Sequence, residues 1–236
     1  MFVSAWQRRF TENQQVKHMN KLTLHIGNKN YSSWSMRPWL VLRKSQLPFA
    51  ENLILLDVPG FKDKLLALTD AGTVPVLQIG DDHLPDSLAI SDWLSQAVPN
   101  LWPKNPKDEQ RAKALCKQMQ DDFSEFRNHA PMNLRRRTRT KMPKPCIEAA
   151  AKLDDIFADL LSQHDSPFLF GDWSIADAFA TPYATRFVSY DIPRSAKTDT
   201  YISELMSDED YLDWEADALI EVWKLPDTDM VYGGRG

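Results

Sequence analysis

The segment Tyr31-Ser32-Ser33-Trp34-Ser35-Met36-Arg37-Pro38 gathers hydroxyls just ahead of an apolar stretch that opens at Trp39. This pattern predicts a helix beginning among Ser32, Ser33 and Ser35, because serine is a good N-cap and Pro38 suits a first turn. A helix start carries partial positive charge and N–H groups without intrahelical partners. An anion placed there is stabilised, and a hydroxyl beside it adds a hydrogen bond. A bound thiolate is one anion that fits. Plain capping by serine explains the same residues, and on this segment alone it is the simpler account.

Three further groups of residues invite the same double reading. Val74-Pro75 opens an apolar run, and proline without its N–H belongs at the edge or start of a strand. A cis bond there would present the Val74 N–H and C=O to an extended peptide ligand, but cis forms are only about 5–6% of X–Pro bonds. Asp86-Ser87 precedes Leu88-Ala89-Ile90. It can be a helix cap, or a place where a ligand carboxylate meets the Ser87 hydroxyl and a ligand ammonium meets Asp86. Gly171-Asp172-Trp173-Ser174-Ile175-Ala176-Asp177 has capping-box spacing from Ser174 to Asp177, with Trp173 set to staple against Ala178. That group reads as structural.

The elements that must hold these groups follow from periodicity. Leu22 to Ile26 alternates like a strand with one buried face, and Gly27-Asn28-Lys29-Asn30 is turn chemistry. After the serine-led helix come a strand over Phe49–Leu55, a short helix over Phe61–Leu68 and a strand over Val74–Ile79. The turn Gly80-Asp81-Asp82 leads into a short fourth strand, and a helix runs from Ser87 to about Ala97. The order β-α-β-α-β-β-α predicts a sheet covered by helices. Three prolines between Pro99 and Pro106 mark a linker. Beyond it apolar residues recur at helical spacing over 108–126 and 147–161, and further helices are expected near 175–190 and 202–223.

Composition narrows the function classes. Hydrophobic residues are 43% and charged residues 26% of the 236, as in an ordinary globular chain. A formal net charge of −5 argues against general attraction to nucleic acid or anionic membrane. No apolar run approaches the roughly 20 residues that a membrane helix needs. Cys116 and Cys146 form no close motif, so no disulfide framework is expected and a reducing cytoplasm fits. Residues 1–20 are basic but lack a signal-peptide core. They read as an N-terminal extension, with Met19 a possible start of translation, or as a short helical arm.

Together, in this order and on these elements, the four groups resemble the glutathione S-transferase superfamily over roughly residues 21–225. The resemblance implies an α/β thioredoxin-like domain over 21–100, an all-α domain over 106–225 and a tail over 226–236. It also implies a cis Pro75, a homodimer and glutathione as co-substrate, with no metal. Asp86, Ser87, Val74 and Pro75 would then anchor glutathione. Ser32 or Ser33 would donate to its sulfur, Ser32 being preferred because it aligns with the serine of zeta-like members. Trp34 stands where zeta members have cysteine, and it is expected near the electrophile. No cysteine lies at this helix start, so the thiol exchange of omega members is not expected. Arg186 is expected either to hold an acidic electrophile or to form an interhelical salt bridge. The basic run Arg135–Lys141 is expected to be solvated, or to attract anionic substrates. The implied activity is conjugation of glutathione to a small hydrophobic electrophile. The alternatives are a glutathione-dependent isomerase of the maleylacetoacetate type and a non-catalytic binding protein of the same fold.

Overall fold

The computed structural model describes residues 21–230; the expected N-terminal extension over 1–20 lies outside the described residues. The elements in chain order are β1 (Leu22–Ile26), α1 (Ser33–Ser45), β2 (Phe49–Leu53), α2 (Phe61–Leu66), β3 (Val76–Ile79), β4 (Asp82–Pro85) and α3 (Ser87–Ala97). There follow α4 (Pro106–Asp121), α5 (Ser124–His129), α6 (Lys144–Leu161), α7 (Ile175–Ser189), α8 (Ala196–Ser207), α9 (Glu209–Ile220) and α10 (Pro226–Met230). The four strands lie in the order β2-β1-β3-β4. β1 and β2 are parallel, while β3 runs antiparallel to both β1 and β4. This is the mixed sheet of a thioredoxin-like domain, and the remainder of the described chain is largely helical. Beyond α3 the described residues contain one isolated bridge, Phe168 to Gly171, and no strand.

The sheet is half-buried in the sense its alternation predicts. Leu22, Leu24, Ile26, Leu77 and Ile79 join Trp39, Leu40, Ile90 and Leu94 of α1 and α3 in one core. On the opposite face His25 bridges the strands, bonded to Asn52 of β2 at 2.7 Å and to Gln78 of β3 at 3.2 Å. That core continues into the helical part without a break, through Met119, Phe123, Phe179 and Trp214. Among the described residues no helix is long and apolar enough to cross a membrane.

Several predicted boundaries move, each for a local reason. The expected helix over 108–126 is two helices. The Met119 carbonyl is taken by Arg127 Nη1 at 2.9 Å and by the Tyr183 hydroxyl at 2.5 Å. The chain turns there, and α5 starts after Phe123. The expected helix over 202–223 breaks at Asp208, whose Oδ1 accepts from the N–H groups of Asp210 and Tyr211 and so caps α9. Pro38 lies inside α1 rather than in its first turn. Within the predicted tail, Pro226–Met230 form α10.

Candidate functional site

The sheet register brings the predicted groups to one edge. His25 pairs with Val76, so the chain leaving β1 toward Ser32 runs beside the chain entering β3 from Val74 and Pro75. Val76 pairs in turn with Pro85, so Asp86 and Ser87 stand next to Val74-Pro75. The N-terminus of α1 and the N-terminus of α3 therefore both open at the same edge of the sheet, with Val74-Pro75 between them. The Val74–Pro75 bond is cis.

At the start of α1 the serines do not act as the capping account requires. Ser32 is the N-cap residue, yet its side chain makes no cap hydrogen bond. Its hydroxyl donates to Ser35 Oγ at 2.7 Å, and Ser35 Oγ also accepts the Gly27 N–H at 3.1 Å. A Cβ at Gly27 would come 2.8 Å from Leu56 Cδ1 and 3.2 Å from Ser32 Cβ, so the Leu56 side chain would have to shift to admit one. Ser33 faces the other way. Its Oγ accepts from Arg186 Nη2 of α7 at 3.0 Å. A hydroxyl that accepts from a guanidinium keeps its own hydrogen for another acceptor, and it is the better donor for being polarised.

At the start of α3 the capping account holds. Asp86 Oδ1 accepts from the N–H groups of Leu88 and Ala89, both at 2.9 Å. Asp86 also has φ 75 and ψ 128. A left-handed φ at a non-glycine residue costs about 1–3 kcal/mol and gathers at ligand sites. Gln120 of α4 donates to Asp86 Oδ2 at 3.3 Å and to Ser87 Oγ at 3.1 Å. The Ser87 side chain is buried, whereas Asp86 is exposed.

Among the described residues Arg186 has no carboxylate within 4.0 Å, so the expected interhelical salt bridge is not formed among them. Its Nε donates to the Ala130 carbonyl at 2.9 Å, Nη1 to the Pro182 carbonyl at 2.8 Å and Nη2 to Ser33. Burial, with Arg37 and Arg127 adding like charge, brings its pKa down to about 10. Trp34 is half-buried and lies between two cations: the Arg37 guanidinium is 4.3 Å from its ring centre and that of Arg127 is 5.8 Å away.

The basic run is solvated in part: Arg137, Arg139 and Lys141 are exposed, as expected, while Arg135 and Arg136 are half-buried. Arg135 donates to the carbonyls of Glu221 and Trp223 and to the Tyr31 hydroxyl, and Arg136 to the carbonyl of Asp229. The same C-terminal segment reaches back to the β1–α1 loop. The Glu221 carboxylate accepts from the Lys29 N–H at 2.6 Å and the Asn30 N–H at 3.2 Å. Tyr31 donates its hydroxyl to Asp229 at 3.0 Å. Burial, chiefly, raises the Tyr31 pKa, and the neighbouring Asp229 adds to it. The loop that carries the serines is thus fixed by residues almost 200 positions later in the chain, such as Glu221 at a separation of 192.

Sequence reasoning passed over Arg37, Arg127, Gln120 and Glu221. Arg37 carried a weak signal: it is a lone charge between Met36 and Pro38-Trp39, just before the apolar stretch of the helix. The other three sit on surfaces whose partners are distant in sequence, and nothing local marks them. Among the described residues no group of three metal-ligating side chains comes together.

The sheet order, the largely helical remainder and the paired helix starts define a class, the glutathione transferase fold. The chain is similar to a glutathione transferase homologue from Burkholderia with bound glutathione, at 22% identity and a TM-score of 0.66 over 85% of this chain and 100% of that one. A Tau class glutathione S-transferase from mango (18% identity, TM-score 0.65) covers 84% of this chain and 96% of its own. A glutathione transferase homologue from Sulfitobacter, also with bound glutathione (17%, TM-score 0.64), covers 85% and 99%. No curated protein matches the sequence. Residues 31–97 match the family described as the glutathione S-transferase N-terminal domain. The chain thus has the fold of the glutathione transferases, and that domain match lies within its sheet-containing part.

Proposed function

We propose that this chain is a glutathione transferase that binds glutathione along the shared edge of β1, β3 and β4 and conjugates its thiolate to a small hydrophobic electrophile. The observation that carries the reading is the register. It puts two helix N-termini on one edge, one next to hydroxyls and one next to a carboxylate and a hydroxyl. Glutathione has a thiol for the first and an ammonium–carboxylate pair for the second. Asp86 takes the ammonium, Ser87 and the α3 N–H groups take the carboxylate, and the Val74 backbone beside Pro75 takes the middle of the peptide. The thiol lies at the start of α1.

Of the two candidate serines, Ser33 is the better placed to donate to sulfur. Arg186 occupies its oxygen as acceptor and leaves its hydrogen, whereas the Ser32 hydrogen is used on Ser35. A thiol pKa near 8.5 falls at a helix N-terminus, and each unit corresponds to about 1.4 kcal/mol of thiolate preference. The electrophile then approaches between α1 and α7, next to Trp34.

The reading extends to a division into a glutathione-binding domain over 21–100 and a helical domain over 106–225, to a homodimer and to a cytoplasmic setting. The free, buried state of Cys116 and Cys146 supports that setting. Retention on immobilised glutathione, followed by turnover of 1-chloro-2,4-dinitrobenzene and a wider electrophile panel, tests the activity. Conjugate formation with loss of free glutathione is expected. Turnover of a cis diketo acid with glutathione recovered unchanged would replace conjugation by isomerisation, and no glutathione binding would leave a binding protein of the same fold. Light scattering at micromolar concentration tests the dimer.

A further inference from the structure

Arg37 is fully buried in α1, and its Nε, Nη1 and Nη2 have no hydrogen-bond partner among the described residues. Its guanidinium carbon lies 4.3 Å from the centre of the Trp34 ring and 4.9 Å from that of Phe179 in α7. Neither ring offers an acceptor atom to the N–H fork. Two more guanidiniums stand close by. Arg127 donates to the Tyr183 hydroxyl at 3.0 Å, and Arg186 lies 5.3 Å from the Tyr183 ring. None of the three forms an ion pair with a described residue within 4.0 Å. Burial first, and then the charge of Arg127, brings the Arg37 pKa down to about 10.

Such a grouping is hard to explain as packing alone. A buried charge is ordinarily paired, and an unpaired one destabilises the fold strongly. Two aromatic faces offset part of that cost, but they do not satisfy the in-plane donors. A planar fork with free N–H groups matches a carboxylate in two-point geometry. Of the two covering rings, Phe179 is fully buried and Trp34 is half-buried, so access lies on the Trp34 side.

We propose that Arg37, with Arg127 beside it, is a binding site for the carboxylate of a small organic acid at the α1–α7 interface, entered past Trp34. The site uses none of the side chains assigned to glutathione, and it does not rest on the transferase reading. If that reading also holds, acidic electrophiles are the favoured second substrates.

The test uses the full chain without glutathione, so that its carboxylates do not compete. Propionate is the probe, propionamide its neutral counterpart, and potassium chloride matches the ionic strength. Calorimetry and thermal melts should show saturable propionate binding with a raised Tm, and no effect of propionamide. Arg37→Met keeps the length and apolar body of the side chain but removes the charge. It should melt no lower than the wild type without propionate, and should weaken propionate binding at least about tenfold. Arg127→Met should also weaken propionate binding, which keeps the test decisive if Arg37→Met does not fold. Absence of saturable binding to the wild type, or equal binding of propionamide, overturns the proposal. So does an Arg37→Met protein that melts lower yet binds propionate as before, because Arg37 would then be a packing residue.

Discussion

Replacing Asp86 separates a helix cap from a ligand contact, because asparagine keeps the first and loses the second. Asp86 Oδ1 satisfies two N–H groups of α3 at 2.9 Å, from a residue with φ 75. Asparagine caps helices as well as aspartate and tolerates a positive φ. Asp86→Asn should therefore change stability by less than about 0.5 kcal/mol, which is within about 2 °C of Tm for a chain of this size. Asp86→Ala loses the cap, at about 1 kcal/mol, and places a Cβ-bearing residue without a local hydrogen bond at the same φ, at about 1 kcal/mol more. Its Tm should fall by about 4–8 °C. For glutathione the two variants should agree. Each removes a charged hydrogen bond to the ammonium, worth about 1.5–3 kcal/mol, so Kd should rise by about 10–100-fold. Calorimetry for affinity and calorimetric melts for Tm read the two effects separately. If Asp86→Asn binds glutathione as the wild type does, Asp86 is a cap only, and the anchor assignment fails.

Ser33→Ala should raise the thiol pKa of bound glutathione, read from thiolate absorbance in the ultraviolet, without abolishing binding, while Ser32→Ala should leave it nearly unchanged. The opposite pattern would return the role to Ser32, and no change in either would leave the helix N-terminus as the sole stabiliser. Arg186→Met strips donors from Ser33, Ala130 and Pro182 at once. The Pro182 carbonyl keeps the Thr185 hydroxyl at 2.8 Å, so the loss should cost at least about 2 kcal/mol, at roughly 1–3 kcal/mol for each of the other two groups, and a Tm within about 2 °C of the wild type would contradict the buried network. Asp177 is fully buried and its pKa is raised from 3.8 to about 6 by burial, against the hydrogen bonds it accepts from Ser174, Leu169 and Tyr201. The folded state thus holds the proton more tightly than the unfolded one. Between about pH 4 and pH 6 this group alone makes stability fall as pH rises, by up to about 3 kcal/mol. Asp177→Asn should remove that slope, so the stability of the wild type relative to the variant should decline from pH 4 to pH 6; a pH-independent difference would refute the shift.

The sequence by itself determined the order of elements and the polar groups that stand at their ends. Alternation over Leu22–Ile26, the serines before Trp39 and the Asp86-Ser87 pair before Leu88-Ala89-Ile90 are local signals, set by backbone geometry and by the free N–H groups at helix starts. Those signals reach only a few residues. They could not decide that Ser32 would bond Ser35 instead of capping α1, or that Ser33 would turn toward Arg186 at a separation of 153 residues. Nor could they show that the basic run at Arg135 would hold the C-terminal segment against the Lys29–Tyr31 loop. Each of these contacts depends on where α7 and the last residues pack against α1, and that placement follows from filling one continuous core. Arg37 shows the limit from the other side. Its position among Met36, Pro38 and Trp39 was visible in the sequence, but its lack of a hydrogen-bond partner among the described residues follows from what Phe179 and Trp34 place around it, and only the tertiary structure brings those rings together.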